Sequence, residues 1–290
     1  MAENKSVPMN MTANIQTLSL RARLGRATKT YQSPLISFAS VFIFFALWEW
    51  VGTTCFTWEF IGKDCKLAPL FLSAPSTIWL AAVKVFSTGD IWNHFFVSGQ
   101  EFFLGFALAI LLGIPTGMLL GWYRVVNYIF EPFISAFNAT PRVALTPLLI
   151  IWLGIGIWSK VALVFLGGIF PIVINTQSGV RSLDEMLVRA ARSFGANDRQ
   201  IFRTIALPGS VPFILSGIRV GLGRALVGIV VGELLGASAG IGFMMSNAAA
   251  TFQTDKMFVG LFIITGFGVL FSLGLNRLER RVEAWRPPRG

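Results

Sequence analysis

The sequence predicts an all-α membrane protein with about six transmembrane helices, and three observations carry that expectation. Of the 290 residues, 54% are hydrophobic and only 13% are charged, whereas about a quarter are charged in a soluble domain. The mean hydropathy is +0.67. Six stretches meet or approach the roughly 20 apolar residues that a helix rising about 1.5 Å per residue needs to cross a hydrocarbon core. The net charge of +10 does not indicate a nucleic-acid partner, because the basic residues sit in short clusters between long apolar runs, as orientation signals do.

In chain order, residues 1–34 form a cytoplasmic tail in which Leu18, Leu20 and Leu24 alternate with basic residues. That pattern suits either a segment lying on the inner membrane surface or a disordered tail. No cleavable signal peptide precedes the first apolar run, so the first span, 35–51, is expected to serve as its own insertion signal. Glu49 is its only charge. Residues 52–101 are expected outside, with an interfacial helix from Ser76 to Phe86 whose apolar positions are Ile78, Trp79, Ala82, Val83 and Phe86. Both cysteines, Cys55 and Cys65, fall there; an oxidising compartment permits a disulfide, and two free thiols fit equally. Two cysteines without neighbouring histidines make no metal site. The sole histidine, His94, lies among aromatic residues and reads as interfacial packing.

The second span, 102–123, carries no charge. The third, 125–154, contains Glu131-Pro132, Pro141-Arg142 and Pro147, so it should break where proline removes backbone donors, and irregular backbone at that depth must be buried or line a cavity. The remaining spans are 161–180, 211–236 and 257–276, completing a membrane domain over 35–277 with a basic cytoplasmic tail at 278–290. With both termini in the cytoplasm, the inner segments hold Arg21, Arg23, Arg26, Lys29, Arg124, Arg181, Arg189, Arg192, Arg199, Arg203, Arg277, Arg280, Arg281, Arg286 and Arg289. The outer segments keep only Lys63, Lys66, Lys84, Lys160 and Lys256, as the positive-inside rule requires. Glycines recur every four residues at Gly113, Gly117 and Gly121 and at Gly228, Gly232, Gly236 and Gly240, with Gly217 and Gly221 before them. Such ridges let helix backbones approach in lipid, either within one bundle or at a homodimer seam.

The cytoplasmic loop 181–210 reads as two short helices. Asp184 and Glu185 open the first, Met186, Leu187, Ala190, Ala191 and Phe194 give it an apolar stripe, and Gly195 ends it. Asn197 or Asp198 caps a second helix through Ile205, which Pro208 is expected to terminate. An exposed helix pair with an apolar stripe needs a partner surface or the membrane face.

The run Ala190-Ala191-x3-Gly195-x9-Ile205-x-Leu207-Pro208 resembles the "EAA" loop of binding-protein-dependent ABC importer permeases. Asn138-Ala139-Thr140-Pro141-Arg142, Trp152-Leu153-Gly154-Ile155-Gly156 and Glu233-Leu234-Leu235-Gly236-Ala237 with Gly240-Ile241-Gly242 look like the sulfonate, nitrate and taurine branch. The family's leading glutamate is Arg189 here, so its salt bridge to the ATPase is not carried over; Glu185, one turn earlier, is the nearest acid. The resemblance implies a type I importer permease of MetI-like architecture in a bacterial inner membrane. It also implies two ATPase subunits that bind ATP and magnesium, a second copy of the permease, and a periplasmic or lipid-anchored solute-binding protein.

On this reading the coupling residues are Glu185, Arg189, Ala190, Ala191, Phe194, Gly195, Asp198, Ile205, Leu207 and Pro208. No G-x-x-x-x-G-K-[ST] loop occurs in the chain, and a non-catalytic transport subunit without a cofactor of its own is expected. Intramembrane charge is costly and should face a wet path or a partner. Asn138, Arg142, Arg219, Arg224 and Glu233 are therefore the expected path residues, with the arginines suited to an anion. Structural pairing of those charges with Glu131, Glu233 or helix-end carbonyls, holding the bundle together, is the alternative. A self-contained secondary transporter or channel, the rival function, would not need a docking loop and would usually show inverted repeats or coupling acids.

Overall fold

The computed structural model describes residues 36–53 and 73–283, and these are helical without strands. The N-terminal tail, Cys55, Cys65 and the C-terminal residues from 284 lie outside the described residues. The helices are α1 (Ile36–Thr53), α2 (Pro75–Thr88), α3 (Asp90–Trp122), α4 (Arg124–Ala139), α5 (Thr146–Leu153) and α6 (Ile157–Arg181), followed by α7 (Glu185–Ser193), α8 (Asp198–Ile201), α9 (Leu207–Gly236), α10 (Ile241–Ala250) and α11 (Thr254–Glu283). Five are long and apolar enough to cross a membrane, or six if the bent pair around Pro141 counts as one span.

The described residues up to Ser76 fall in one unit and those from Thr77 in another. In the first, α1 is tied down by side chains: the Trp48 indole donates to the Ser73 carbonyl at 3.0 Å, and the Glu49 carboxylate accepts from the Ser76 amide and hydroxyl at 3.0 and 2.6 Å. The lone charge of the first span therefore caps the start of α2.

In the second unit, α6 is the central helix. Its neighbours α3 and α9 pack on adjoining faces of it through glycines. A Cβ at Gly105, Gly113, Gly117 or Gly121 of α3 would collide with successive turns of α6 from Val161 to Val180, and one at Gly217, Gly221, Gly228 or Gly232 of α9 would meet α6 in the reverse order from Asn175 to Lys160. Thus α3 runs parallel to α6 and α9 antiparallel. On α6 itself, Gly168 faces Ala109 and Phe106 of α3 while Gly167 faces the backbone of Arg224 and Ala225 of α9. These ridges are contacts within one bundle. The last span, α11, attaches to α3 through rings: Phe267 meets Phe102 edge-on at 5.2 Å and Phe271 meets Phe106 at 5.8 Å, offset geometries that aromatic quadrupoles favour.

The expected break in the third span is an 88° bend. Helix α4 stops at Ala139, Thr140 is extended at ψ 130° because it precedes Pro141, and a 3₁₀ turn over Arg142–Leu145 leads into α5. Two departures from the sequence expectation bear on the site. Helix α3 begins at Asp90, so the second span is not free of charge: it includes Glu101, which is buried at 3% exposure. Pro208 does not terminate the second loop helix either. A π turn over Phe202–Ala206 joins α8 to α9, giving one helical rod from Asp198 to Gly236. The wider i→i+5 turn relieves the clash that a proline ring makes with the carbonyl four residues back.

At Gly117 a Cβ would sit 2.6 Å from the Val173 carbonyl oxygen, so Gly117→Val must push α3 away from α6, an overpacking cost of about 1–3 kcal/mol. We expect its thermal midpoint in detergent to fall by several degrees. Gly266→Ala, on an open face of α11, should leave the midpoint unchanged or raise it slightly.

Candidate functional site: a docking loop, an arginine pair and a buried acid cluster

The loop after α6 is built by local chemistry. The Asp184 carboxylate accepts the Met186 amide at 2.8 Å and starts α7. The helix closes in a Schellman motif: Gly195, at φ +81°, donates to the Arg192 carbonyl at 2.9 Å and Ala196 to that of Ala191 at 3.0 Å. Asn197, rather than Asp198, then caps α8 in a reciprocal box with Gln200, with bonds of 2.9 and 2.8 Å. The apolar stripe of α7 is largely left exposed by the described residues: Met186 is 75% exposed, Leu187 57% and Phe194 92%. Arg189, where the resembling family has an acid, bonds Glu185 at 2.7 Å, and Arg192 bonds Asp198 at 3.2 Å. Ala206 and Ile201 are buried, while Leu207 and Pro208 lie exposed at the foot of α9. Beside the loop, the ends of α3, α4 and α6 border a cleft of about 1100 Å³ lined by Trp122, Arg124, Asn127, Glu131, Arg181 and Arg189 among others. Glu131 is held by Asn127 at 2.8 Å and Gln177 at 3.3 Å.

Three of the five expected path residues come together at the break between α4 and α5. Arg142 donates to the Asn138 carbonyl at 3.2 Å and to its side-chain oxygen at 3.0 Å, and Arg224 reaches the same side-chain oxygen from α9 at 2.9 Å. The Arg142 guanidinium lies 5.6 Å from the centre of the Phe170 ring, a cation–π contact, and its Nε is buried without a partner. Neither arginine forms an ion pair among the described residues. Two cations therefore converge on one neutral amide oxygen, a site with unspent capacity for an anion.

The other two are elsewhere. Arg219 is paired with Glu279 of α11 and acts as a tie between two helices. Glu233 is 1% exposed at the end of the bundle opposite the loop, where its carboxylate accepts from the Ser98 hydroxyl at 2.5 Å and the Gly242 amide at 2.6 Å. It is not part of the arginine site. Glu101 lies beside it, and Lys160 interacts electrostatically with both acids. Lys160 was expected as an outer positive charge. It is 2% exposed, and its ammonium donates to the carbonyls of Ile155 and Gly156, closing the turn between α5 and α6. His94 is more than interfacial packing, because its Nδ1 accepts the Gly240 amide at 3.1 Å. Sequence reasoning missed Ser98, Glu101 and Lys160. The signal for the first two was present: His94, Ser98 and Glu101 fall at i, i+4 and i+7, one face of a helix.

The Arg219 tie is testable. Arg219→Gln leaves Glu279 half-buried without its cation, so we expect a thermal midpoint lower by a few degrees. Arg219→Gln combined with Glu279→Gln should recover part of that loss, as measured by the same melt in detergent.

The profile of the family described as "Binding-protein-dependent transport system inner membrane component" matches residues 109–284. The chain is 35% identical over 233 residues to the taurine transport system permease protein of Escherichia coli K12, covering 79% of this chain and 85% of that one. It is also 35% identical over 229 residues to a protein of Bacillus subtilis 168 named as an aliphatic sulfonates transport permease, covering 79% and 83%. Among solved structures, a chain of the MetNI methionine ABC transporter in an inward-facing conformation aligns with a TM-score of 0.51 at 20% identity, covering 72% of this chain and 99% of that one; at that identity the likeness is one of fold. The chain belongs to the binding-protein-dependent transport family and is a multi-pass transmembrane permease subunit of an ABC importer.

Proposed function

We propose that this permease carries a small organic anion of the sulfonate class, and that Arg142, Arg224 and Asn138 line its path. The observation that carries the reading is the convergence of two arginines, unpaired among the described residues, on one amide oxygen at the kink of a broken span. A guanidinium pair offers a tetrahedral oxyanion several charge-assisted donors, and irregular backbone at membrane depth is tolerated where it lines a cavity. The relatives named for taurine and aliphatic sulfonates support the same substrate class.

The loop end of the bundle faces the cytoplasm on this reading, with both termini on that side. Two ATPase subunits, which bind ATP and magnesium, seat the exposed stripe of Met186, Leu187 and Phe194 in their clefts. A second copy of the chain completes the path, and a solute-binding protein delivers the substrate at the opposite end. The Glu185–Arg189 pair is about three-quarters exposed on both sides and adds little to stability; its two charges are available to the ATPase surface.

Purified with its ATPase and binding protein and reconstituted in proteoliposomes, the wild type should take up a labelled sulfonate in an ATP-dependent manner. Arg142→Gln and Arg224→Gln should each lower uptake about 10-fold or more with assembly intact, the worth of one lost charge-assisted interaction. Unchanged uptake in both variants would sink the anion-path assignment. Separately, Gly195→Val places a β-branched residue at φ +81°, a conformation it adopts only with strain. Pull-down of the ATPase should fall sharply while the thermal midpoint of the isolated permease stays near wild type; equal recovery of ATPase would remove the loop from the docking interface.

A further inference from the structure

At the end of the bundle opposite the docking loop, the first turn of α10 is held in an unusual way. Three consecutive backbone amides each donate to a side chain from another helix: Gly240 to His94 Nδ1 at 3.1 Å, Ile241 to Ser98 Oγ at 2.8 Å, and Gly242 to Glu233 Oε2 at 2.6 Å. The Ser98 hydroxyl then donates to the other Glu233 oxygen at 2.5 Å. A helix N-terminus carries unsatisfied N–H groups and the positive end of the helix dipole, and here α3 and α9 supply the acceptors and the compensating carboxylate. The glycines are required by this fit. Gly240 sits at φ +121° and a Cβ there would overlap the Glu233 carboxyl group; a Cβ at Gly242 would lie 2.7 Å from that of Glu233. Below the clasp, Ile241, Met244 and Met245 pack on Val85 of α2 and Ile91 of α3, so α10 is fixed on its apolar side as well.

Glu233 also lies near the end of the helical rod that begins at Asp198 in the docking loop, roughly 58 Å of helix for 39 residues at 1.5 Å each. One continuous element therefore bears the clasp at one end and the loop at the other. We infer that Ser98 and Glu233 are positioning residues that lock α10 to the ends of α3 and α9, so that a force applied to α10 by the docked solute-binding protein is passed down the rod to the ATPase. This rests on the reading above that the clasp end faces outward. Glu101, whose Oε2 is buried without a partner, and Lys160 stand behind Glu233 and complete the support; neither touches the α10 amides.

The test uses the full complex of permease and ATPase in lipid nanodiscs, with ATP hydrolysis measured without and with the substrate-loaded binding protein over a concentration series. For Ser98→Ala and Glu233→Gln we expect assembly and the basal rate to stay at the wild-type level. The maximal stimulation should fall about 5-fold or more, in the range typical of a lost coupling, while the half-stimulating concentration changes little. Ser98→Thr, which keeps the hydroxyl, should retain stimulation. If Glu233→Gln fails to assemble, Ser98→Ala carries the result, since it removes one oxygen and no charge. Full stimulation in an assembled Ser98→Ala complex overturns the clasp, and so does a basal rate that falls in proportion to the stimulated one, which would mark a merely structural role. A wild-type complex that no sulfonate-loaded binding protein stimulates overturns the importer orientation on which the inference rests, and the inference with it.

Discussion

The close approach of three helices at α6 is the constraint on which the remaining structure depends. In lipid no hydrophobic force drives one apolar helix onto another, so association rests on van der Waals contact and on polar groups that find partners. Glycines on α3 and α9 remove the side chains that would hold those helices apart from α6, and Gly167 and Gly168 do the same on the two faces of α6 itself. The ridges also fix register. Once Gly117 meets Val173 and Gly228 meets Leu163, the heights of Ser98, Lys160 and Glu233 follow, and they fall within reach of one another at the same end of the bundle.

Polar groups within the spans sort accordingly into those that hold the bundle and those left with capacity. Asn127, Glu131 and Gln177 join α4 to α6, Arg219 and Glu279 join α9 to α11, and Lys160 closes the α5–α6 turn on backbone carbonyls. Each offsets the cost of placing charge or an amide in a low-dielectric setting by pairing it. Arg142 and Arg224 are the contrast: they share one neutral oxygen at a backbone break and meet no acid among the described residues.

The loop after α6 shows how a local motif becomes part of a long-range element. Its first helix is set by caps and by the left-handed Gly195, all within a dozen residues. Its second helix does not end but runs through a π turn into a span. A proline that would ordinarily stop a helix is accommodated because the preceding turn is already widened, and α8, Arg224 and Glu233 consequently lie on one continuous helical element.

The sequence by itself determined the membrane class, the broken third span at Thr140-Pro141, the two-helix loop with its Gly195 turn and the family. These depend on hydropathy, helical period, proline and capping, which act over a few residues. It also marked Arg142 and Arg224 as worth explaining, since any charge in an apolar run is conspicuous. Tertiary structure alone decided which polar groups meet. Ser98 and Glu233 are 135 residues apart in the chain, and Glu101 stood just outside a span whose apparent start was set by the uncharged run that follows it. Partner choice at such distances is fixed by where one helix crosses another, and that crossing is set by the shape of the glycine ridges rather than by any local pattern around the residues that are paired.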